Sequence, residues 1–137
     1  MSDDNKERTF PATMDGLADA SEFLMSIIGP SNCPPKVKSA VMVAMDEIAS
    51  NIVHYSGAPD FTVAVGLPDA PPYVRLIFSD AGKPYNPLLR ADPDVTLPAD
   101  QRDIGGLGIF MVKKMMDDIE YAYENGRNVL TIGKKRT

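Results

Sequence analysis

The sequence contains one cysteine, one histidine and no tryptophan. A single cysteine excludes an internal disulfide and a cysteine metal cluster, and we interpret Cys33 as a small residue near a helix start. No apolar run approaches the ~18 residues that are needed to span a membrane. The N-terminal segment MSDDNKERTF is polar and lacks the apolar core of a signal peptide. These features predict a cytoplasmic protein that does not use a membrane as a partner.

Positive charge is also scarce, because the formal net charge of the chain is −5. Proteins that bind nucleic acid carry a basic surface that matches the phosphate backbone. The sequence therefore predicts no nucleic-acid partner. The closing GKKRT is a short basic tail, which we interpret as a solvated terminus.

The chain has 137 residues, of which 44% are hydrophobic. That is enough for one domain with a core, and we predict a single domain over residues 7–135. Apolar residues at spacings of three and four predict helices, and β-branched or aromatic segments between turn residues predict strands. The predicted elements are a strand at 7–13, helices at 14–28 and 36–55, strands at 61–67 and 73–80, a helix at 105–116, and a hairpin of 118–124 and 128–134. This order predicts an α/β two-layer sandwich with a mixed, mostly antiparallel sheet and helices on one face.

The second helix contains the segment VAMDEIASNIVHYSG, in which Glu47, Asn51 and His54 follow one another at spacings of four and three. At about 100° per residue, these three side chains lie within roughly 60° of one another, at the rim of the apolar face. The strip is either an ordinary polar flank or part of a ligand site. In a ligand site, Asn51 would offer an oxygen to a hard cation and Glu47 a carboxylate base. His54 would contact phosphate, or it would only cap the end of the helix, where a positive charge is favoured.

Two further motifs contain glycines next to groups that bind ligands. In FSDAGKPYNPL, Asp80 ends a strand and Gly82 permits a tight turn; the pair is either an ordinary turn or an acceptor for an exocyclic amine. In DIGGLGIF, Gly105, Gly106 and Gly108 open a helix whose bare N–H groups form an anion site. A glycine hinge is the alternative there, because a Walker loop and a dinucleotide fold do not fit. The proline-rich residues between the two motifs predict a lid at about 83–104.

Taken in order, the three motifs resemble those of the GHKL superfamily of ATPases and kinases, which have the Bergerat ATP-binding fold. The closest resemblance is to the small anti-sigma regulatory factors, which are serine/threonine protein kinases. DEIASNIVHYSG resembles their N box, DAGKPYNPL their first glycine box, and GGLGIFMVKKMMDDIEY their second. The resemblance covers residues 7–135. Pro84 replaces the second glycine of the wider superfamily's Asp-x-Gly-x-Gly, which favours the small kinases over gyrase or MutL.

The resemblance implies that ATP and Mg²⁺ are the cofactors. Asn51 would bind the Mg²⁺ ion that bridges the phosphates, and Glu47 would be the catalytic carboxylate that orients or deprotonates the attacking hydroxyl. Asp80 would bind the adenine amine, with Gly82 giving the ring room. The backbone of four residues would wrap the phosphates: Gly105, Gly106, Leu107 and Gly108.

The resemblance also implies a function, which is phosphorylation of a small anti-sigma-factor antagonist with a STAS-type domain, and regulation of transcription by partner switching. It leaves open whether the chain binds a sigma factor or forms a homodimer. Two alternatives remain: a module that sequesters its partner in a nucleotide-dependent way without phosphotransfer, and a separate histidine-kinase-like ATP domain. The superfamily often places a hydroxyl residue behind the adenine aspartate, and Asn128 and Thr131 are both candidates for that position here.

Overall fold

The computed structural model describes residues 6–89 and 106–136. Within them, two helices follow the first strand, two strands follow the helices, and a third helix precedes a final hairpin. The strands are β1 (Lys6–Pro11), β2 (Asp60–Gly66), β3 (Tyr73–Asp80), β4 (Asp118–Glu124) and β5 (Arg127–Lys135), and the helices are α1 (Met14–Ile28), α2 (Pro35–Tyr55) and α3 (Gly106–Met115). This order is the predicted one, and most element bounds lie within a residue or two of the prediction.

Helix α1 begins where Thr13 caps it, because the Thr13 hydroxyl accepts a hydrogen bond from Gly16 N at 3.0 Å. Its buried positions recur every four residues, at Gly16, Ala20, Leu24 and Ile28, so one face of the helix packs on the core. A Cβ on Gly16 would lie 1.8 Å from the carbonyl oxygen of Pro11. Glycine is therefore needed for the helix to turn back closely over β1.

The five strands form one sheet in the order β1-β2-β3-β5-β4. Each described pairing is antiparallel, and the buried side chains of the sheet and helices form one hydrophobic cluster. The predicted two-layer α/β fold is therefore confirmed. The β4–β5 hairpin turns at Asn125 and Gly126, whose φ angles are 54° and 76°, as expected for the Asn-Gly turn that matches strand twist.

The end of strand β3 carries Asp80, one of the predicted site residues. Val74, Leu76, Phe78 and Asp80 alternate with more exposed residues and are all buried. Because side chains in a strand alternate between faces, Asp80 continues the inward-facing row of this strand. A carboxylate thus ends a row of apolar residues, on the side of the sheet that the core occupies.

The structure also bears on membrane-spanning helices and on the single cysteine. In the described part of the chain, no helix has the length and apolar character needed to cross a membrane. Cys33 is buried, and this burial raises the pKa of its thiol. A buried thiol with a raised pKa is an inert packing residue, as the sequence predicted.

Candidate functional site

Asp80 is a buried carboxylate, with only 3% of its surface exposed. Its Oδ1 atom accepts hydrogen bonds from Gly82 N at 2.9 Å and from the amide nitrogen of Asn128 at 3.1 Å. Among the described residues, the other oxygen, Oδ2, has no hydrogen-bond donor, and no fully buried side-chain polar atom lacks a partner. Within these residues, Oδ2 is therefore available to a donor on a ligand.

Asn128 holds the carboxylate in place. It lies directly opposite Asp80 in the pairing of β3 with β5, and its amide nitrogen donates to Lys83 O at 2.9 Å as well as to Asp80. Its Oδ1 accepts from Tyr85 N at 3.0 Å and from the Tyr121 hydroxyl. A single side chain thus joins the carboxylate, the loop after β3 and the edge strand β4.

The sequence left Asn128 and Thr131 as candidates for the position behind Asp80. The register decides between them, because Thr131 pairs with Ile77 and so lies away from Asp80. No pattern in the sequence indicated the roles of Tyr85 and Tyr121. They follow from strand pairing and from the path of the loop.

The carboxylate borders a cavity between α2 and the sheet. Asn51 lines this cavity together with Asp80, so the structure brings together two of the predicted ligand-binding residues. The walls are mostly apolar, which suits the faces of a planar aromatic ring. The lining residues are Ile48, Asn51, Ile52, Ser56, Phe78, Asp80, Tyr85, Pro87, Ile109, Tyr121, Asn128 and Leu130. The cavity volume is about 40 Å³.

Gly82 has a clear structural reason to be glycine. A Cβ at this position would lie 2.2 Å from the carbonyl oxygen of Ser56 and 2.9 Å from Asp80 Oδ1. Ser56 O also accepts a hydrogen bond from Lys83 N at 3.1 Å. The loop after β3 is therefore fastened to the end of α2, and a side chain at Gly82 would break that contact. Contact of Gly82 with a base remains a prediction.

Glu47 lies against the first turn of α3. A Cβ on Gly108 would be 2.0 Å from Glu47 Oε2, so the carboxylate occupies the space that a side chain at Gly108 would fill. The backbone of Gly106, Leu107 and Gly108 forms the start of the helix, where N–H groups have no partner within the helix and favour anions. The predicted carboxylate and the predicted phosphate site are thus neighbours. Gly105 and residues 90–104 of the predicted lid lie outside the described residues.

His54 lies in the last turn of α2, and Lys83 lies in the loop after β3 that contacts the end of this helix. The Nδ1 atom of the exposed His54 ring is 2.8 Å from the carbonyl oxygen of Ser50, so this histidine contacts the last turn of its own helix. The side chain of Lys83 is exposed. Neither residue lines the cavity beside Asp80.

The Asn128 network gives a prediction about stability. Asn128→Ala leaves the Tyr85 N–H, the Tyr121 hydroxyl and the Lys83 carbonyl without their partner. The three hydrogen bonds are partly buried, and a buried polar group left without its partner costs about 1–3 kcal/mol. We expect the melting temperature to fall by at least about 4 °C, since 1 kcal/mol corresponds to about 4–8 °C in a domain of 60–100 residues and to about 2–4 °C in one of 150–250 residues. Differential scanning calorimetry measures the change, and Thr131→Ala on the same strand is the control. Equal shifts for the two variants would contradict the network.

Two comparisons with known proteins bear on the family and the fold of this chain. A family model described as the histidine kinase-like ATPase domain matches residues 10–134. A solved structure of the RsbU and RsbW domains of a Mycobacterium tuberculosis protein has a similar fold, with a TM-score of 0.69 and 15% sequence identity. The similarity covers 96% of this chain and 32% of that one, so the chain spans about a third of the length of its structural neighbour. No curated protein matches the sequence.

Proposed function

Because the chain belongs to the histidine kinase-like ATPase family, we propose that it binds Mg·ATP and phosphorylates a serine or threonine of a small partner protein. The observation that carries the proposal is a buried carboxylate, Asp80, which lines a cavity together with Asn51 and has one oxygen that accepts no hydrogen bond from the described residues. The similar fold of the RsbW domain, and the resemblance of the motifs to small anti-sigma factors, support an anti-sigma-factor antagonist with a STAS-type domain as that partner.

The adenine ring would bind in the cavity. Asp80 Oδ2 would accept a hydrogen bond from the exocyclic amine, while Asn128 and Gly82 hold Oδ1 in position. The apolar walls would cover the faces of the ring.

The phosphates would bind at the start of α3. The N–H groups of Gly106, Leu107 and Gly108 would donate to phosphate oxygens, and the side-chain oxygen of Asn51 would hold the Mg²⁺ ion. This ion would neutralise charge on the phosphates when it is bound. Glu47, beside Gly108, would orient the attacking hydroxyl and accept its proton. Phosphoryl transfer requires mainly positioning and stabilisation of charge, and this arrangement would supply both.

The direct experiment is incubation of the protein with labelled ATP, Mg²⁺ and each small STAS-type domain that is encoded beside it. Label on a serine or threonine of one domain is the expected result. Label on a histidine would favour the histidine-kinase-like alternative. Stable capture of a domain with no label would favour the sequestering module.

Further parts of the proposal come from the sequence analysis. They are a nucleotide lid at about 83–104, a single functional domain over 7–135, and a cytoplasmic location. Binding of a sigma factor and formation of a homodimer also belong here. Each remains a prediction.

Gly108→Ala is a test of the contact between Glu47 and α3. The new methyl group forces the Glu47 carboxylate to move, since the two would lie 2.0 Å apart. The fold should tolerate the change, because alanine is favoured over glycine inside a helix by about 0.8–1.0 kcal/mol. We expect a phosphotransfer rate about tenfold lower, within the ~10²-fold that a misplacement of about 1 Å can cost. Thermal unfolding and the phosphotransfer rate are the two measurements.

A double-mutant cycle with Glu47→Gln shows whether the effect passes through Glu47. If it does, Gly108→Ala should slow the Glu47→Gln protein far less than it slows the parent. Independent, additive losses would mean that the methyl group acts elsewhere, for example on the phosphates.

A further inference from the structure

A second groove lies away from the nucleotide cavity and shares no lining residue with it. It encloses about 710 Å³, within the range of about 300–1,000 Å³ that is usual for binding clefts. The first two turns of α2, the end of α3 and the end of β5 form its sides. Four apolar side chains belong to its surface: Val37, Ala40, Val43 and Met115.

The two helices run in opposite directions along this groove. Gly108, near the start of α3, contacts Glu47, whereas Met115, at its end, shares the groove with residues of α2 that lie about one to three turns earlier. The apolar strip is accessible, because 43% of Val43 and 44% of Met111 are exposed. Met111 lies one turn before Met115, so it extends the strip along α3. Two helices with an apolar strip between them offer the surface that an amphipathic helix occupies.

The groove has the opposite charge from the rest of the protein. Its lining carries five basic side chains and one acidic one: Lys36, Lys114, Lys134, Lys135, Arg136 and Asp117. The net charge of the whole chain is −5. Two of the basic groups are paired with carboxylates: Lys134 with Asp117, with 3.7 Å between the charged atoms, and Arg136 with Asp69, with 3.0 Å between them. Lys36 and Lys135 are exposed and make no ion pair within the described residues. Lys114 is also exposed, and its ammonium group lies over the Phe110 ring at 5.4 Å, which leaves its charge in place.

We propose that this groove binds an acidic amphipathic helix of a partner protein. The basic rim selects negative charge, and the apolar floor selects a ligand that also presents apolar side chains. A free phosphate or a nucleic-acid backbone would leave the floor uncovered. The site extends the proposed function, because it binds protein at a place separate from the proposed phosphotransfer centre and does not depend on nucleotide.

The test uses two labelled helical peptides of about 20 residues, long enough to form a helix. Both carry leucine on one face, and the other face carries glutamate in one peptide and lysine in its twin. Fluorescence anisotropy without nucleotide measures their affinities. We expect the glutamate peptide to bind at least about tenfold more tightly than the lysine twin, and less tightly as salt is raised. In the Lys36→Glu/Lys114→Glu variant this preference should be lost or reversed.

Lys6→Glu, an exposed charge reversal on β1 outside the groove, is the matched control and should bind as the parent does. The affinity of the double variant for ATP should equal that of the parent, so failure of the nucleotide site and failure of the groove can be distinguished. Equal binding of the two peptides, or no effect of the double variant, would overturn the proposal. Groove-dependent binding to phosphatidylserine vesicles instead of peptide would also overturn it. So would self-association in sedimentation that the double variant abolishes, since the occupant would then be a second copy of the chain.

Discussion

Replacement of Glu47 by alanine is expected to lower phosphotransfer by about 10²–10⁴-fold, the usual contribution of acid–base assistance, and to leave ATP affinity nearly unchanged. The reason for both expectations is the position of Glu47. Glu47 lies beside Gly108 at the start of α3, and it is not among the residues that line the cavity next to Asp80. Its carboxylate would therefore contact the attacking hydroxyl and not the base. Calorimetry with ATP and a phosphotransfer assay with the partner measure the two quantities on the same protein.

Two variants complete this experiment. Asp46 is the next carboxylate on α2; it is exposed and accepts a hydrogen bond from Ser21 at 2.7 Å, so Asp46→Ala should retain the parent's phosphotransfer rate. Asn51→Ala should weaken both metal-dependent ATP binding and turnover, because it removes the proposed ligand of the metal ion. A parent that captures its partner without phosphorylating it, with Glu47→Ala indistinguishable from it, would support the sequestering module.

For Asp80→Asn we expect ATP affinity to fall roughly ten- to a hundredfold. Loss of a charge-assisted hydrogen bond of this kind costs about 1.5–3 kcal/mol. The fold should survive, because an asparagine oxygen can still accept the hydrogen bonds that Gly82 and Asn128 donate to Oδ1. The change then falls on the other atom of the side chain, where an NH₂ group would replace the free oxygen and oppose the adenine amine. Calorimetry measures the affinity.

Inosine triphosphate sharpens this test, since its ring has a carbonyl where adenine has an amine. An NH₂ group at residue 80 should pair with that carbonyl. We therefore expect Asp80→Asn to reduce or reverse the preference for ATP over inosine triphosphate. Unchanged ATP affinity in Asp80→Asn would mean that the base binds somewhere else.

The order and kind of the elements could be predicted from the sequence because they depend on local patterns. Apolar residues at three- and four-residue spacing decide α1 and most of α2, and the Asn125-Gly126 pair decides the hairpin. The observed end of an element differs from the predicted one where a nearby residue has a role in the next element. The first strand was predicted to run to residue 13, but it ends at Pro11, because Thr13 is used as the cap of α1.

The individual site residues were predicted from a resemblance of motifs, and the contacts between them were not. Asn128 could not be distinguished from Thr131, because the choice depends on which residue of β5 faces Asp80. Pairing register is a property of two strands that lie 48 residues apart in the chain at this point. The same limit applies to Tyr121, which reaches Asn128 from the neighbouring strand.

The fold class and the family resemblance could be determined from the sequence by itself. Helical periodicity, turn residues and short motifs each depend on residues that lie close together in the chain. Only the tertiary structure decided what surrounds each group. It placed Glu47 against Gly108, and it left one oxygen of Asp80 without a donor among the described residues. It also brought Lys36 and four basic side chains of residues 114–136 around one apolar groove. Distances between residues far apart in sequence depend on how helices pack and how strands align, and no local pattern specifies them.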